Sequence, residues 1–290
     1  METETKFISL KNDRKLAYAE YGDPLGQPVF FFHCIPGSRL FCPSPEVTRK
    51  AGIRLIIPDR PGSGFSDFQP GRCLLDWPGD VTALADSLGI GHFAVAGHSG
   101  GGSYVAACAY QIPQRITAAA IISGIGPVDT PHATRGMTTM NKIGFTFGRY
   151  IPWLIWLAVI QILYRQGLKD PEGVLDWSAG RRPPADTALL AQPNVREVCL
   201  HSGMEAFRQG MRAHAWETRL VVRPWGFRLD EITIPVSLWH GTADCEVSIS
   251  MGRYIASQIP ACRAQFCEGE GHLLLFPHWE EVLDRLMGRT

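Results

Sequence analysis

The chain has 290 residues, a length that one α/β domain with an insertion accommodates. Lys and Arg together number 28, as do Asp and Glu, so the formal net charge is zero and no basic excess favours nucleic-acid binding. The eight cysteines are scattered, without the density of a secreted disulfide scaffold or the spacing of a zinc site. We therefore expect reduced cysteines and no nucleic-acid partner.

Residues 1–6 are polar and partly acidic, and they lack the basic start and apolar core of a secretory signal. This pattern predicts a cytoplasmic protein. The longest apolar stretch, at 151–163, is shorter than the ~20 residues that span a bilayer. We therefore expect a buried or interfacial helix there and no stable membrane insertion.

The first third of the chain reads as strands and helices of an α/β protein. Strands at 7–10 and 15–21 are predicted to form an antiparallel hairpin. Apolar runs at 29–32 and 53–57 are continuous rather than alternating, which is typical of parallel strands buried on both faces. Each run ends in a loop rich in Gly and Pro, and a helix is predicted at about 76–88.

Residues 93–102 carry the strongest local signal in the sequence. A short apolar run passes through Gly97, Ser99 and Gly101 into an alanine-rich helical segment. A strand, a sharp turn and a helix in this order predict an exposed serine hydroxyl at the turn, with glycines that let strand and helix approach closely. The alternative is a glycine-rich turn whose serine has no catalytic role. Whether the chain also contains a matching histidine and carboxylate distinguishes the two interpretations.

A strand is predicted at 116–123, after which strand–helix alternation stops. Residues 128–229 read as amphipathic helices interrupted by prolines, which predicts a helical insertion between core segments 1–127 and 230–290. Alternation then resumes, and parallel βαβ units bind ligands at the carboxyl ends of their strands. The last predicted elements are a strand at 235–239, a helix at 248–258, a strand at 263–267 and a helix at 273–287.

The chain resembles α/β-hydrolase fold enzymes of the branch that carries a helical cap after the sixth strand. The resemblance covers about residues 6–287 and is weakest in the insertion. It implies a mostly parallel central sheet flanked by helices and a serine hydrolase that needs neither cofactor nor metal. It rests on five segments in a fixed order: HCIPG (33–37), DRPGSGFS (59–66), GHSGG (97–101), HGTAD (240–244) and GEGH (269–272).

A serine nucleophile requires an imidazole base and a carboxylate that fixes the imidazole tautomer. In this fold the three follow along the chain as Ser, then Asp or Glu, then His, which matches Ser99, Asp244 and His272. Asp244 and His272 each follow a predicted strand, so both are expected at the same sheet edge as Ser99. Asp129, which follows the predicted strand at 116–123, is the alternative acid.

The resemblance also places two oxyanion-hole donors, the backbone N–H groups of Ile35 and Gly100. Cys34 departs from the family, which usually has glycine at this position. This cysteine either requires a costly backbone angle, or places a thiol against the site, or is simply tolerated at negative φ.

Several polar residues near these segments are expected to support the site. His33 is predicted to buttress its loop through hydrogen bonds, and Asp59, Arg60 and Ser66 are predicted to form a buried polar network. His98, beside the nucleophile, is predicted to support the wall of the substrate pocket.

Aromatic residues crowd the first part of the insertion, and Trp153 and Trp156 are our candidates for substrate binding, together with His98. Such residues either line an apolar pocket above the serine or form the insertion's own core.

The sequence thus favours a carboxylesterase-like serine hydrolase that cleaves an ester, thioester or lactone of a small apolar substrate through an acyl-enzyme on Ser99. A carbon–carbon bond hydrolase with the same triad is one alternative. A receptor-like protein that captures a ligand with little turnover is another, since fold does not determine function. Epoxide hydrolases and haloalkane dehalogenases have aspartate at the turn, and Ser99 argues against both.

Overall fold

The computed structural model describes residues 4–11, 13–130 and 132–289, without the side chains at positions 140, 163, 164 and 166. Residues 1–3, on which the predicted cytoplasmic location partly rests, lie outside the described residues, as does position 12 in the predicted first turn.

The strands of the described chain form one twisted layer at the centre of the fold. They are β1 (Lys6–Ser9), β2 (Lys15–Gly22), β3 (Gln27–Phe32), β4 (Ile53–Pro58), β5 (Phe93–His98), β6 (Ile116–Ile122), β7 (Val236–Gly241) and β8 (Cys262–Cys267). Their order in the sheet is β1-β2-β4-β3-β5-β6-β7-β8. β2 pairs antiparallel with β1 and β4, and the remaining neighbours are parallel. The predicted mostly parallel sheet is confirmed.

Helices cover both faces of this sheet. Those that flank it are α1 (Pro45–Lys50), α2 (Trp77–Ser87), α3 (Gly101–Gln111), α10 (Ile249–Gln258) and α11 (Leu275–Leu286). Between β6 and β7 lie α4 (Thr139–Phe147), α5 (Trp153–Gly167), α6 (Pro171–Ala179), α7 (Pro184–Leu190), α8 (Pro193–Ala206) and α9 (Arg212–Val221).

The core explains why β3 is a continuous apolar run. Phe30 and Phe32 pack on one face of the sheet, against the cluster that contains α2 and α3. Val29 and Phe31 pack on the other face, where the ring of Phe31 meets Trp279 of α11 edge-on at 5.4 Å. A strand buried on both faces has no solvent side to mark with polar residues.

The helices α4–α9 all lie within residues 128–229, which we call the insertion. Buried polar contacts join the insertion to the core, among them the ion pairs Glu205–Arg39 and Glu217–Arg60. The division of the chain into separate core and cap units stays a prediction.

The apolar stretch 151–163 falls largely in α5, which is apolar on two sides. Trp156 and Ile160 are buried, whereas Leu154 and Ile162 are 75% and 72% exposed. The helix is therefore not fully buried, because only one of its apolar sides packs against the protein. Among the described residues, no helix combines the length and apolarity that crossing a bilayer would require.

Candidate active site

Ser99 lies in a sharp turn at the carboxyl end of β5, with φ of +57°. Two glycines make the turn possible through close backbone approach. A Cβ atom on Gly97 would lie 2.5 Å from the carbonyl oxygen of Gly101, and one on Gly101 would lie 2.0 Å from that of Phe32. The N–H of Ser99 donates to the Ile122 carbonyl at 2.9 Å, which ties the turn to β6. This is the strand–turn–helix geometry that the sequence predicts. The predicted exposure of the serine hydroxyl is wrong, because Ser99 is only 6% exposed.

His272 and Asp244 form a buried pair at the same sheet edge. Nδ1 of His272 lies 2.8 Å from Oδ2 of Asp244, and Oδ1 of Asp244 accepts hydrogen bonds from the N–H groups of Glu246 and Val247. Both carboxylate oxygens are therefore engaged, which fixes the carboxylate and the imidazole ring. Asp129, the alternative acid, is exposed. The structure thus brings Asp244, and not Asp129, to His272.

The pKa values of this pair move in opposite directions. Burial alone would lower the pKa of His272, but the charge of Asp244, followed by that of Glu246, raises it to about 9. Burial alone would raise the pKa of Asp244, but the attraction of His272 lowers it overall. The arrangement stabilises an imidazolium beside a carboxylate, which is the charge state that forms when the histidine accepts a proton.

The backbone of His272 is held by two further side chains. His98 Nε2 lies 2.9 Å from the carbonyl oxygen of His272, and because a carbonyl only accepts, this nitrogen carries the proton. Asp186 accepts hydrogen bonds from the N–H groups of His272 and Leu273, at 2.8 and 2.9 Å. Burial, and then the neighbouring His272, lowers the pKa of His98 to about 3, so His98 is neutral. His98 thus contacts the backbone of His272, whereas the sequence predicts that it supports the wall of the substrate pocket.

A second acidic residue faces the other ring nitrogen of His272. Oε2 of Glu246 lies 3.8 Å from Nε2 of His272, and Oε1 of Glu246 pairs with Arg182 of the insertion at 2.5 Å. Sequence reasoning missed Glu246, Arg182 and Asp186. Arg182 and Asp186 lie in the insertion, where the strand–helix alternation of the sequence stops, and no motif marks any of the three residues.

Ile35 lies directly beside the residue that follows Ser99. A Cβ atom on Gly100 would be 2.4 Å from Cδ1 and 3.2 Å from Cβ of Ile35, so the side chain of Ile35 lies against Gly100. Within the described ranges, neither the N–H of Ile35 nor that of Gly100 donates a hydrogen bond to another protein group. Two neighbouring N–H groups without a protein acceptor are what an oxyanion hole requires.

Cys34 is not strained. Its φ is not among the positive values in the described chain, so the alternative of a costly backbone angle is wrong. Its thiol donates to the Pro36 carbonyl at 3.1 Å, and burial raises its pKa to about 12. The thiol is therefore protonated and is not a nucleophile.

The sheet order agrees with comparisons to known proteins. Residues 27–145 match a family model described as the alpha/beta hydrolase fold. A hydrolase from Pseudomonas aeruginosa PA01 is similar in structure, with a TM-score of 0.72 and 19% identity over 99% of this chain and 100% of that chain. The chain has the α/β-hydrolase fold.

Two further structures share this fold. An esterase from Thermogutta terrifontis has a TM-score of 0.67 and 20% identity, covering 98% of this chain and 97% of that chain. An epoxide hydrolase from Vigna radiata has a TM-score of 0.70 and 19% identity, covering 99% of this chain and 97% of that chain. A comparison with curated protein sequences finds no match.

In this α/β-hydrolase fold protein, the predicted polar network below the loops divides into two parts. Asp59 is buried and accepts hydrogen bonds from the backbone N–H and the guanidinium of Arg39. Arg60 is also buried but pairs with Glu217, and it donates to the carbonyl groups of His33 and Cys34.

The two candidate tryptophans contact other parts of the insertion. Trp156 packs in a cluster with Ile160, Met211 and Ala215 of the insertion, and its indole N–H donates to Thr218 at 3.1 Å. Trp153 meets Trp216 edge-on at 4.9 Å. These contacts favour the second alternative for both residues, the insertion's own core.

A different apolar cluster adjoins Ser99 in this fold. Ile125 donates its N–H to the carbonyl of Ser99 at 3.0 Å, and Ile35 covers Gly100. Both belong to one cluster, which joins the core loops to the first and last helices of the insertion. We call it the apolar cluster; its members are Ile35, Ile125, Val128, Ala133, Met137, Phe145, Val221, Val222, Val247 and Met251.

Proposed function

We propose that the protein is a carboxylesterase-like serine hydrolase that cleaves an ester, thioester or lactone through an acyl-enzyme on Ser99. One observation carries the proposal: the turn at Ser99 and the buried Asp244–His272 pair meet at one sheet edge. His98, the residue before Ser99, is hydrogen-bonded to the backbone of His272 and so joins the two parts.

Each residue has a role in the reaction. Asp244 holds the proton on Nδ1 of His272 and leaves Nε2 as the base. Nε2 takes the proton of the Ser99 hydroxyl as Oγ attacks the carbonyl carbon, and the N–H groups of Ile35 and Gly100 bind the oxyanion. The imidazolium then protonates the leaving alcohol, thiol or ring oxygen. Water, activated by the same histidine, hydrolyses the acyl-enzyme and restores the serine.

The apolar cluster supports an apolar substrate. Ile35 and Ile125 flank the turn, so a group attached to the carbonyl carbon would meet hydrocarbon there. The structural neighbours include an enol-lactonase from Burkholderia xenovorans besides the esterase, and both activities act on the bond class proposed here. An aspartate would stand at position 99 in an epoxide hydrolase of this fold.

We also propose that the insertion acts as a cap over this site. Asp186 of the insertion accepts a hydrogen bond from the N–H of His272, and Arg182 pairs with Glu246, which faces the His272 ring. Both contacts support this role. The cytoplasmic location, the lack of a cofactor and the lack of a nucleic-acid partner stay predictions from the sequence.

Hydrolysis of a series of p-nitrophenyl esters tests the proposal. We expect turnover by the native chain, loss of turnover in Ser99→Ala, and an acyl adduct on Ser99 when the native enzyme is quenched in acid and weighed. Ser257→Ala, which removes an exposed hydroxyl on α10, is the matched control. Cleavage of a β-diketone without any ester hydrolysis would instead support the carbon–carbon bond alternative.

A further inference from the structure

We propose that Arg60 is a positioning residue for the oxyanion hole and that Glu217 of the insertion holds Arg60 in place. The inference rests on the proposed function, because it concerns one donor of that site.

Arg60 binds the two carbonyl groups that precede the proposed donor. Its Nη1 donates to the carbonyl of His33 at 2.6 Å, and its Nη2 donates to the carbonyl of Cys34 at 2.7 Å. The next N–H in the chain is that of Ile35. Arg60 is fully buried, so no water competes for these contacts.

This contact sets the direction of the Ile35 N–H. In a trans peptide the C=O and N–H bonds point in opposite directions, so a Cys34 carbonyl held by Arg60 turns the Ile35 N–H away from Arg60. Hydrogen bonding at the carbonyl also polarises the peptide and makes its N–H a stronger donor. Arg60 therefore orients this donor and strengthens it without touching the substrate.

Glu217 fixes the guanidinium of Arg60. The two groups form a bidentate pair, with Nε to Oε1 at 2.5 Å and Nη2 to Oε2 at 3.1 Å. Glu217 lies in α9, the last helix of the insertion, 157 residues from Arg60 in sequence. The placement of α9 and the orientation of the oxyanion loop are therefore coupled.

The cluster around Glu217 carries a net positive charge. Arg72 Nη2 donates to Glu217 at 3.0 Å, and the hydroxyl of Tyr104 donates to it at 3.1 Å. Burial alone would raise the pKa of Glu217, but the charges of Arg60 and Arg72 outweigh burial and lower the pKa to about 2. Burial and then Arg60 lower the pKa of His33 to about 3, so His33 adds no charge. Two guanidinium groups and one carboxylate thus lie behind the loop, which favours an oxyanion in front of it.

Arg72 provides a matched control for Arg60. Arg60→Met and Arg72→Met each leave one arginine facing Glu217, so each removes one buried cation and keeps a neutral pair. Of the two arginines, only Arg60 donates to the carbonyls of the oxyanion loop. A difference between the two variants therefore isolates that contact from general loss of buried charge.

An ester and the corresponding thionoester provide the readout. The sulfur of a thionoester accepts hydrogen bonds poorly, so an oxyanion hole contributes less to its cleavage. We expect Arg60→Met to lower kcat for the ester about ten- to a hundredfold, with KM little changed, since losing a whole donor costs about 10² to 10³. The loss for the thionoester should be at least threefold smaller. Arg60→Lys should recover part of the ester rate, and Arg72→Met should affect both substrates alike.

Equal losses for ester and thionoester in Arg60→Met would show a merely structural role and would overturn the inference. If Arg60→Met does not fold, Glu217→Gln keeps an amide oxygen for Arg60 and should show the same selective loss in milder form; equal losses there would also overturn it. A native enzyme that is never acylated on Ser99 would instead overturn the proposed function. Selective loss of ester turnover in an enzyme that is acylated supports both.

Discussion

Nδ1 of His272 lies 2.8 Å from Oδ2 of Asp244, although the two residues are 28 positions apart and belong to different loops. Both are almost fully buried, so water does not screen the contact. The pair fixes the ring tautomer with the proton on Nδ1, and in the proposed mechanism it leaves Nε2 as the base. The predictions for this site depend on this pair.

Asp244→Asn tests the role of the carboxylate. An amide in this position favours the wrong imidazole tautomer, so we expect kcat to fall by about 10⁴ with the fold intact. Asp129→Asn is the matched control, because Asp129 is exposed and should leave kcat unchanged. Ester kinetics and circular dichroism of both variants provide the measurement. A larger loss in Asp129→Asn would transfer the acid role to that residue.

Glu246→Gln tests the second carboxylate at the imidazole. His272 must be neutral to accept a proton, so activity rises with pH through its pKa. The side chains facing His272 are Asp244, Glu246 and Asp186, which raise the pKa of His272, and the buried His98 and His240, whose own pKa values are lowered. Removing the charge of Glu246 should move the acidic limb of the kcat/KM profile to lower pH.

The control for this experiment is Glu280→Gln, which removes an exposed carboxylate from α11. Its profile should coincide with that of the native enzyme. An acidic limb that stays in place in Glu246→Gln, or moves to higher pH, would contradict the assignment of Glu246.

Asp186→Ala tests how the insertion supports His272. The carboxylate accepts two backbone N–H groups, those of His272 and Leu273, and the substitution leaves both buried without this acceptor. We expect a loss of about 1 to 3 kcal/mol in the free energy of unfolding, and a lower kcat because the imidazole is less well fixed. Asp186→Asn retains one acceptor oxygen, so its stability and kcat should lie between those of the native chain and those of Asp186→Ala. Denaturant unfolding and ester kinetics give both quantities, and an unchanged kcat would refute the positioning role.

The sequence predicts the parts of this site that depend on local chain geometry. Gly97, Ser99 and Gly101 form a strand–turn–helix unit through close backbone contacts, so their spacing between a predicted strand and a predicted helix indicates it. Strands β3 and β4 contain continuous apolar runs, and the order of the five motifs along the chain predicts the pair Asp244 and His272.

The contacts that sequence reasoning missed depend on how the insertion packs on the core. Asp186 and His272 are 86 residues apart, and Glu217 and Arg60 are 157 apart, with no motif around the first member of either pair. The outer face of α5 also stays exposed, whereas the sequence predicts a buried or interfacial helix and does not say which side would be covered. Helix α1 has only six residues, too few for a periodic pattern to indicate it.

Trp156→Ala separates the two roles considered for the insertion's tryptophans. Trp156 is buried among insertion residues, so we expect a loss of about 3 to 5 kcal/mol of stability and an unchanged preference among ester chain lengths. Trp177→Ala is the control, since Trp177 is 52% exposed and should cost less than about 1 kcal/mol. Melting temperatures and ester profiles provide the comparison. A shift of the profile toward bulkier esters would show that Trp156 lines the substrate pocket.

The most direct test of the central claim is labelling with a fluorophosphonate, which reacts only with a serine activated by a neighbouring base. We predict one label per chain on the peptide that contains Ser99, abolished in Ser99→Ala and strongly slowed in His272→Ala. Ester hydrolysis should disappear in proportion to the labelled fraction. A folded native protein that remains unlabelled, or one that is labelled at another serine, would contradict the assignment of Ser99 as the nucleophile.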